Sequence, residues 1–281
     1  MTNRIEGATL DQERALYHLQ NAEVDSCTFS GPADGETALK ESRHIVVKNS
    51  LFDLRYPLWH LQGGEMHECS LTEKCRAALW YCSDVSLHYC NLGGIKAVRE
   101  CSSAKLANCN IVSPEFGWQC RGLRLENCTL ESEYAFLHTQ DLTLEGSQLH
   151  GKYSFQYVDG ATISNCQLDT KDAFWHSRNI TVTDSVIRGE YLGWYSDGLT
   201  LVNCRIIGTQ PLCYCKNLRL IHCTMEQADL SFEYSDVTAD ISGEILSVKN
   251  PLSGQIVADS IGEVILSDSI YPTDCRIIER K

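Results

Sequence analysis

Apolar and polar positions follow a unit that returns every 19 residues along most of the chain. Four copies show its pattern of apolar–x–apolar–x–Asn-like residue–Cys or Ser–x–apolar: GLRLENCTL (122–130), GATISNCQL (160–168), GLTLVNCRI (198–206) and NLRLIHCTM (217–225). The Cys or Ser falls in eight successive steps of 19, at positions 90, 109, 128, 147, 166, 185, 204, 223 and 242. Further copies fall at Cys27, Ser50, Cys69 and, more loosely, Ser269. Apolar alternation indicates β-strands, and a fixed period indicates a solenoid.

A bend is predicted after the first strand of each repeat, because the apolar alternation changes phase there. Asn49, Asn108, Asn127, Asn165 and Asn203 occupy this position. Asparagine tolerates left-handed backbone angles and bonds locally in turns. We expect these amides to bond along the column as an asparagine ladder, and the Cys or Ser that follows to be buried.

A second strand precedes each anchor, and all five tryptophans lie on it, ten residues before an anchor: Trp59, Trp80, Trp118, Trp175 and Trp194. Two residues later comes another column of small residues: Cys82, Cys101, Cys120, Ser177, Ser196 and Cys215. Strand alternation predicts that the tryptophans and these small residues share the inward face.

The repeats predict an all-β fold, a right-handed single-stranded parallel β-helix of about 13 coils with a 19-residue repeat. We expect a single domain over residues 1–281. The period breaks at 31–37 and 247–254, which are predicted loops, and residues 270–281 are predicted to cap an exposed sheet end.

Several motifs in these repeats resemble a known family: PLWHL (57–61), KDAFWHS (171–177), GEYLGWYSDGLTLVNC (189–204), FEYSDV (232–237) and NPLSG (250–254). The chain resembles the uncharacterised bacterial β-helix family known as domain-of-unknown-function family 3737. The likeness covers essentially the full length. It implies a pectate-lyase-like architecture and no particular activity.

Charge and composition narrow the classes of partner. The formal net charge of −13 argues against binding nucleic acid or an anionic membrane. The N-terminal residues do not form a signal peptide, and no run of eighteen apolar residues occurs. We therefore expect a cytoplasmic protein with reduced thiols.

The 15 cysteines raise the alternative of a metal or redox protein, most strongly in LCYCKNLRLIHC (212–223). Zinc sites use two pairs of ligands at characteristic spacing, which this stretch lacks. Membership of the two small columns explains twelve cysteines and leaves Cys75, Cys213 and Cys275. We expect the thiols to pack in the core, with no metal site and no cofactor.

The residue after each tryptophan position forms a further column, predicted to point outward. Its candidate binding residues are His60, Tyr81, His138, Tyr157, His176, Tyr195 and Tyr214, and Glu100, Gln119 and Glu233 stand in the same column. Phe136, Phe155 and Phe174 are predicted to lie beside them. An exposed aromatic strip of this kind favours a non-catalytic scaffold for a carbohydrate or protein ligand, and a homo-oligomer is compatible with it.

The alternative function is a carbohydrate-active enzyme, either a glycoside hydrolase or a polysaccharide lyase. Its candidate catalytic residues are Arg99, which interrupts the tryptophan column, Glu100 and Glu115, with Lys96 nearby. Lys249, in the sequence KNPLSG, is interpreted as a solvated loop residue.

Overall fold

The computed structural model describes residues 3–31 and 37–280, and there the chain is an all-β parallel β-solenoid of about 14 turns. This confirms the predicted fold class and the 19-residue spacing. The right-handed winding stays a prediction. The chain divides into two compact units, Met1–Thr143 and Leu144–Lys281. The single domain predicted for residues 1–281 also stays a prediction.

The first unit consists of short strands that pair in parallel with their equivalents one turn later. They are β1 (Asn3–Glu6), β2 (Thr9–Leu10), β3 (Ala22–Asp25), β4 (Thr28–Phe29), β5 (Val46–Lys48), β6 (Leu51–Phe52), β7 (Glu65–His67), β8 (Ser70–Leu71), β9 (Leu79–Trp80), β10 (Ser86–His88), β11 (Asn91–Leu92), β12 (Val98–Arg99), β13 (Lys105–Ala107), β14 (Asn110–Val112), β15 (Arg124–Glu126) and β16 (Thr129–Tyr134). Leu87 of β10 lies opposite Leu106 of β13, a step of one repeat. β17 (Gln140–Glu145) runs across the boundary between the units.

The second unit repeats the arrangement with longer strands. They are β18 (Gln148–Lys152), β19 (Asp159–Ser164), β20 (Gln167–Lys171), β21 (Arg178–Thr183), β22 (Val186–Arg188), β23 (Asp197–Val202), β24 (Arg205–Ile207), β25 (Leu218–Glu226), β26 (Asp236–Ile241), β27 (Glu244–Lys249), β28 (Ser253–Ala258), β29 (Ser260–Ile265) and β30 (Asp274–Glu279). One sheet begins with β19, β21 and β23, and another begins with β18, β20 and β22. No helix occurs in the described ranges, so none of their segments is a helix that could cross a membrane.

The predicted asparagine bend is confirmed. Asn49, Asn108, Asn127, Asn165 and Asn203 all have positive φ, between 49° and 54°. Asn203 Nδ2 donates to Asp184 Oδ1 of the preceding turn at 2.6 Å. A continuous ladder of asparagine amides stays a prediction.

The anchor column explains why the chain alternates cysteine with serine. Cys204 Sγ contacts the carbonyl oxygens of Val182 and Val202 at 3.4 and 3.3 Å. Ser185 Oγ donates to Thr183 O at 2.7 Å in the equivalent position. Either side chain satisfies a buried carbonyl beside the bend, which is what a thiol or hydroxyl can do and an alanine cannot.

The anchor series ends earlier than the sequence pattern suggested. A register shift in the pairing of β25 with β26 places Ile241 opposite Cys223, and Ser242 is exposed. Ser269 lies between β29 and β30, outside any strand. The predictions of anchors at Ser242 and Ser269 are therefore wrong, because the final turns are shorter or longer than 19 residues.

The predicted loops and cap differ from the structure in their extent. Residues 32–36 of the predicted loop 31–37 lie outside the described residues. Within the predicted loop 247–254, residues 247–249 complete β27 and residues 253–254 begin β28. Residues 274–279 of the predicted cap form β30, which pairs in parallel with β28.

Candidate functional site

The predicted binding column is built on a backbone that bends at every turn. His60, Tyr81, His138, Tyr157, His176, Tyr195 and Tyr214 all have positive φ, between 54° and 60°. Left-handed angles are uncommon for aromatic residues, so neighbouring turns must hold them there. His176 N, for example, donates to Trp194 O of the next turn at 3.0 Å.

In the second unit four rings of this column form a continuous stack, and Tyr234 extends it in a tilted contact. We name these five residues the aromatic ladder: Tyr157, His176, Tyr195, Tyr214 and Tyr234. Ring centroids are 5.1 Å apart from Tyr157 to His176, 5.0 Å from His176 to Tyr195 and 4.8 Å from Tyr195 to Tyr214. Planes in these pairs differ by only 8° to 14°. The spacing follows from the separation of hydrogen-bonded strands, about 4.8 Å, which suits ring stacking.

The ladder continues through Tyr234, not through Glu233 as the 19-residue period predicted. Tyr234 has φ 52° and lies 5.8 Å from Tyr214, ring centroid to ring centroid. Tyr214 N donates to Glu233 O, which places Glu233 in the tryptophan column. A step of 20 residues at this turn shifts the column by one position.

Stacking decides which parts of the rings a ligand can reach. Each inner ring turns its faces toward the rings of the adjacent turns, and Tyr157 and Tyr195 are each 46% exposed. The accessible parts are therefore ring edges with their hydroxyl and imidazole groups. A ligand would form hydrogen bonds and edge contacts along the ladder and would not stack on ring faces.

The prediction that phenylalanines join the exposed strip is wrong. Phe136, Phe155 and Phe174 are fully buried, although each lies two residues before a residue of the predicted binding column. In a regular strand, residues two apart share a face. Here Phe174 and His176 have φ 61° and 54°, so the backbone is not extended and this rule fails.

The tryptophan column lies between these two environments. All five indoles are half-buried, so the predicted inward orientation is only partly realised. Trp175 Nε1 donates to Tyr191 O at 2.7 Å and Trp194 Nε1 to Gln210 O at 2.9 Å. These two indoles thus cover backbone carbonyls of the next turn, and Trp194 also contacts the ladder rings of Tyr195 and Tyr214 edge-on.

In the first unit the same column does not form a continuous stack. His60 and Tyr81 stack with centroids 5.2 Å apart, and the next two turns carry Glu100 and Gln119. His138 follows with φ 56° and an exposed side chain. Polar side chains interrupt the ladder there.

The predicted catalytic residues lie at this interruption. The guanidinium carbon of Arg99 lies 5.4 Å from the Trp80 ring centroid and 5.8 Å from that of Trp118, between the two indoles. Arg99 Nε donates to Glu100 Oε1 at 2.8 Å, and Trp80 Nε1 donates to the same oxygen at 3.3 Å. Partial burial opposes ionisation of Glu100, yet these two donors outweigh it and hold the pKa below its usual value.

Glu115 has a cation of its own. Lys96 Nζ lies 3.1 Å from Glu115 Oε2, although the contact lacks hydrogen-bond geometry. Each carboxylate is therefore matched by a separate cation. A general acid at neutral pH needs a raised pKa, which Glu100 does not have. The catalytic role of Arg99, Glu100 and Glu115 stays a prediction, and the ion pairs favour a structural role for them.

Sequence reasoning missed a polar cluster beyond the end of the aromatic ladder. Lys249 Nζ lies 3.1 Å from Glu233 Oε1 and 3.2 Å from Asp268 Oδ2, and its side chain is only 21% exposed. Hydrogen bonds to Glu233 and then Asp268 raise the pKa of Lys249. Its interpretation as a solvated loop residue is therefore wrong. The irregular turns near 233–268 remove the period that could have aligned these residues.

The cysteines of LCYCKNLRLIHC occupy separate columns. Burial raises the pKa of Cys213 to about 12 and that of Cys215 to about 11, which keeps both thiols protonated, whereas a hydrogen bond with Cys204 lowers the pKa of Cys223 to about 7. Thiolates are the species that bind metals. In residues 3–31 and 37–280, no group of three or more His, Cys, Asp or Glu side chains is arranged to hold a metal ion.

The chain is similar to several solved structures, three of which are given with the extent of the likeness. PfbA, a surface adhesin of Streptococcus pneumoniae, has 8% identity over 83% of this chain and 84% of its own, with a TM-score of 0.58. The mannuronan C-5 epimerase AlgE4 A-module of Azotobacter vinelandii has 8% identity over 99% of this chain and 91% of its own, with a TM-score of 0.32. The catalytic domain of a GH87 α-1,3-glucanase has 9% identity over 99% of this chain and 63% of its own, with a TM-score of 0.38.

Only the likeness to the adhesin is strong enough to support an argument, and at 8% identity that argument concerns the fold alone. A comparison with curated protein sequences finds no match. The model of the family described as "Protein of unknown function (DUF3737)" matches residues 3–278, and the chain therefore belongs to that family.

Proposed function

We propose that this protein is a non-catalytic binding scaffold whose aromatic ladder holds an extended carbohydrate or protein ligand. The observation that carries the proposal is the unbroken stack from Tyr157 to Tyr214, in which Tyr157, His176 and Tyr195 are exposed on successive turns. The β-solenoid fold that the chain shares with a surface adhesin is compatible with binding without catalysis. A cytoplasmic location stays a prediction.

Preorganisation supports a binding role for the ladder. Each ring is held by its neighbours and by a backbone that adjacent turns fix, so little side-chain freedom remains to be lost when a ligand binds. The hydroxyl groups of Tyr157, Tyr195 and Tyr214 can each donate and accept one hydrogen bond or more. A ligand that runs across successive turns could contact several of them together.

The test replaces Tyr157, His176 and Tyr195 together with asparagine, which tolerates positive φ while removing the rings. We expect binding on an oligosaccharide array, or capture of a protein ligand, to be lost while the circular dichroism spectrum is unchanged. The matched control is Tyr89→Asn, because Tyr89 is 62% exposed and has φ 55° but lies outside the ladder.

Unchanged binding by the folded triple variant would reject the proposal. Turnover of an oligosaccharide that is lost on Glu100→Gln would instead establish the glycan hydrolase or lyase alternative.

A further inference from the structure

One sheet of the second unit carries a charge alternation with a period of two turns. Asp159 lies opposite Arg178, Arg178 opposite Asp197, and Asp197 opposite Lys216. We name these four residues the charge column. The following residues alternate in the same way, as Gly160, Asn179, Gly198 and Asn217.

Neighbouring amides hold the carboxylates in place without neutralising them. Asn179 Nδ2 donates to Asp159 Oδ1 at 2.9 Å, and Asn217 Nδ2 donates to Asp197 Oδ1 at 2.8 Å. Within the part of the chain that the structure describes, neither Arg178 nor Lys216 forms a salt bridge. Both cations therefore remain available to pair with the charges of another molecule.

Beside the charge column, the outer face of the same sheet is made mainly of small uncharged side chains. Its outward positions in three successive turns are Thr162 and Ser164, Thr181 and Thr183, and Thr200 and Val202. The equivalent positions of the first unit include Glu65, Lys105, Arg124 and Glu126. In the fourth turn, that of Lys216, the equivalent positions are Arg219 and Ile221. Among the described residues of these four turns, the sheet face beside the charge column therefore carries one charge, Arg219.

We propose that this face binds the same face of a second copy of the chain, with the two copies antiparallel about a two-fold axis. With the axis between the turns of Arg178 and Asp197, Arg178 meets the partner's Asp197, and Asp159 meets the partner's Lys216. All four pairs across the axis are of opposite charge. An alternating column is self-complementary in this arrangement, which is the requirement of an isologous interface.

The residues of the first unit at positions equivalent to the charge column are not self-complementary. They are Arg43, Gln62, Ser83, Ser102 and Arg121. No placement of a two-fold axis pairs these residues with opposite charges. The dimer would use the sheet face and the charge column, and it therefore does not depend on the proposed ligand of the aromatic ladder.

The test measures the mass of the full-length protein by light scattering and sedimentation equilibrium over a range of concentrations. We expect a dimer that dissociates as salt is raised, since salt screens exposed charge pairs. The double variant Arg178→Asp/Lys216→Asp should weaken the dimer about a hundredfold or more, because like charges then meet across the axis. The control Arg43→Asp/Arg121→Asp should leave the dimer intact.

A charge-swap experiment separates complementarity from misfolding. The variant Asp159→Lys/Asp197→Lys should also be monomeric alone, and a mixture with Arg178→Asp/Lys216→Asp should form a heterodimer. A monomeric wild type, a double variant that remains dimeric, or two folded variants that fail to associate would each overturn the proposal. Association of the wild type with a different macromolecule in place of itself would do the same.

Discussion

The turns around Arg99 and the turns around His176 share one backbone and differ in chemistry. In both regions a tryptophan column runs beside a column with positive φ. In the second unit Trp175 and Trp194 stack at 5.5 Å beside an unbroken aromatic ladder. In the first unit Arg99 takes the place of an indole and Glu100 that of a ladder residue.

In the first unit the planar guanidinium of Arg99 stands in the tryptophan column where an indole would stand. It lies between the rings of Trp80 and Trp118, and Glu100 balances its charge. The repeat thus sets where a side chain stands, while the chemistry of that side chain varies from turn to turn. A charged pair inside an aromatic column can therefore be structural.

The largest expected effect concerns the buried support of the aromatic ladder. Phe155 and Phe174 are fully buried and stack at 4.6 Å. Phe174→Ala should lower the free energy of unfolding by about 3–5 kcal/mol, because it leaves a cavity under the ladder. Urea denaturation would measure this loss. His176→Asn, at an exposed position two residues later, serves as control, and a loss for Phe174→Ala no larger than the control's would contradict the burial.

A smaller effect is expected at the charged stack of the first unit. Arg99→Ala should lower the free energy of unfolding by about 1–3 kcal/mol, because Glu100 loses its principal hydrogen-bond donor in a half-buried site. The double variant Arg99→Trp/Glu100→Tyr reproduces the pattern of Trp194 and Tyr195. We expect it to recover the stability of the wild type, since apolar replacement of an ion pair is often neutral or stabilising.

Equal stability losses in Arg99→Ala and in the double variant would show that the two regions are not interchangeable. In that case the ion pair would have a role that an indole and a phenol cannot supply. The same denaturation series, repeated at high salt, would separate the electrostatic part from the packing part.

Opposite pH effects are expected for two aspartates, one in each unit. Burial raises the pKa of Asp172 in the folded protein. The folded protein is therefore not destabilised by this residue below the ordinary pKa, and it loses stability as pH rises through the raised value. Asp172→Asn should therefore raise Tm at pH 7, with no difference below about pH 3.9. Asparagine also suits the φ of 53° at this position.

Asp53 provides the contrast in the first unit. A hydrogen bond from Lys74 lowers the pKa of Asp53, so its stabilisation is present at neutral pH and is lost as pH falls through the lowered value. Asp53→Asn should therefore lower Tm slightly at pH 7, and this difference should shrink in acid. Thermal scans of both variants that moved in the same direction would refute the assigned causes.

The smallest expected effect concerns the buried cysteines, which both units contain. Fourteen of the fifteen free cysteines are buried, and Cys275 is half-exposed. We expect N-ethylmaleimide to label only Cys275 in the folded protein, slowly, because burial raises its pKa to about 11. Mass spectrometry of peptides after labelling would show this. Rapid labelling of Cys204 or Cys223 would contradict the anchor column.

Much of the fold can be predicted from the sequence because the same residue types recur at the same position of many repeats. Asn127 and Asn165 predict a bend, and both have positive φ. The anchor pattern at Cys204 and Ser185 predicts a small buried side chain with a hydrogen-bond donor, and both side chains contact carbonyl oxygens. The candidate site was predicted less well. Tyr157 and Tyr195 are exposed as expected, but Phe174 is buried and Tyr234 replaces Glu233.

By itself, the sequence determined the β-solenoid, its 19-residue turns and the columns of Cys, Ser and Asn, because these depend on positions that recur along the chain. Only the tertiary structure decided that His176 is exposed while Phe174 is buried, that Arg99 lies between two indoles, and that Lys249 joins Glu233 to Asp268. The reason is physical. Bonds to adjacent turns select the positive φ at each bend, and that choice sets the direction of the side chain.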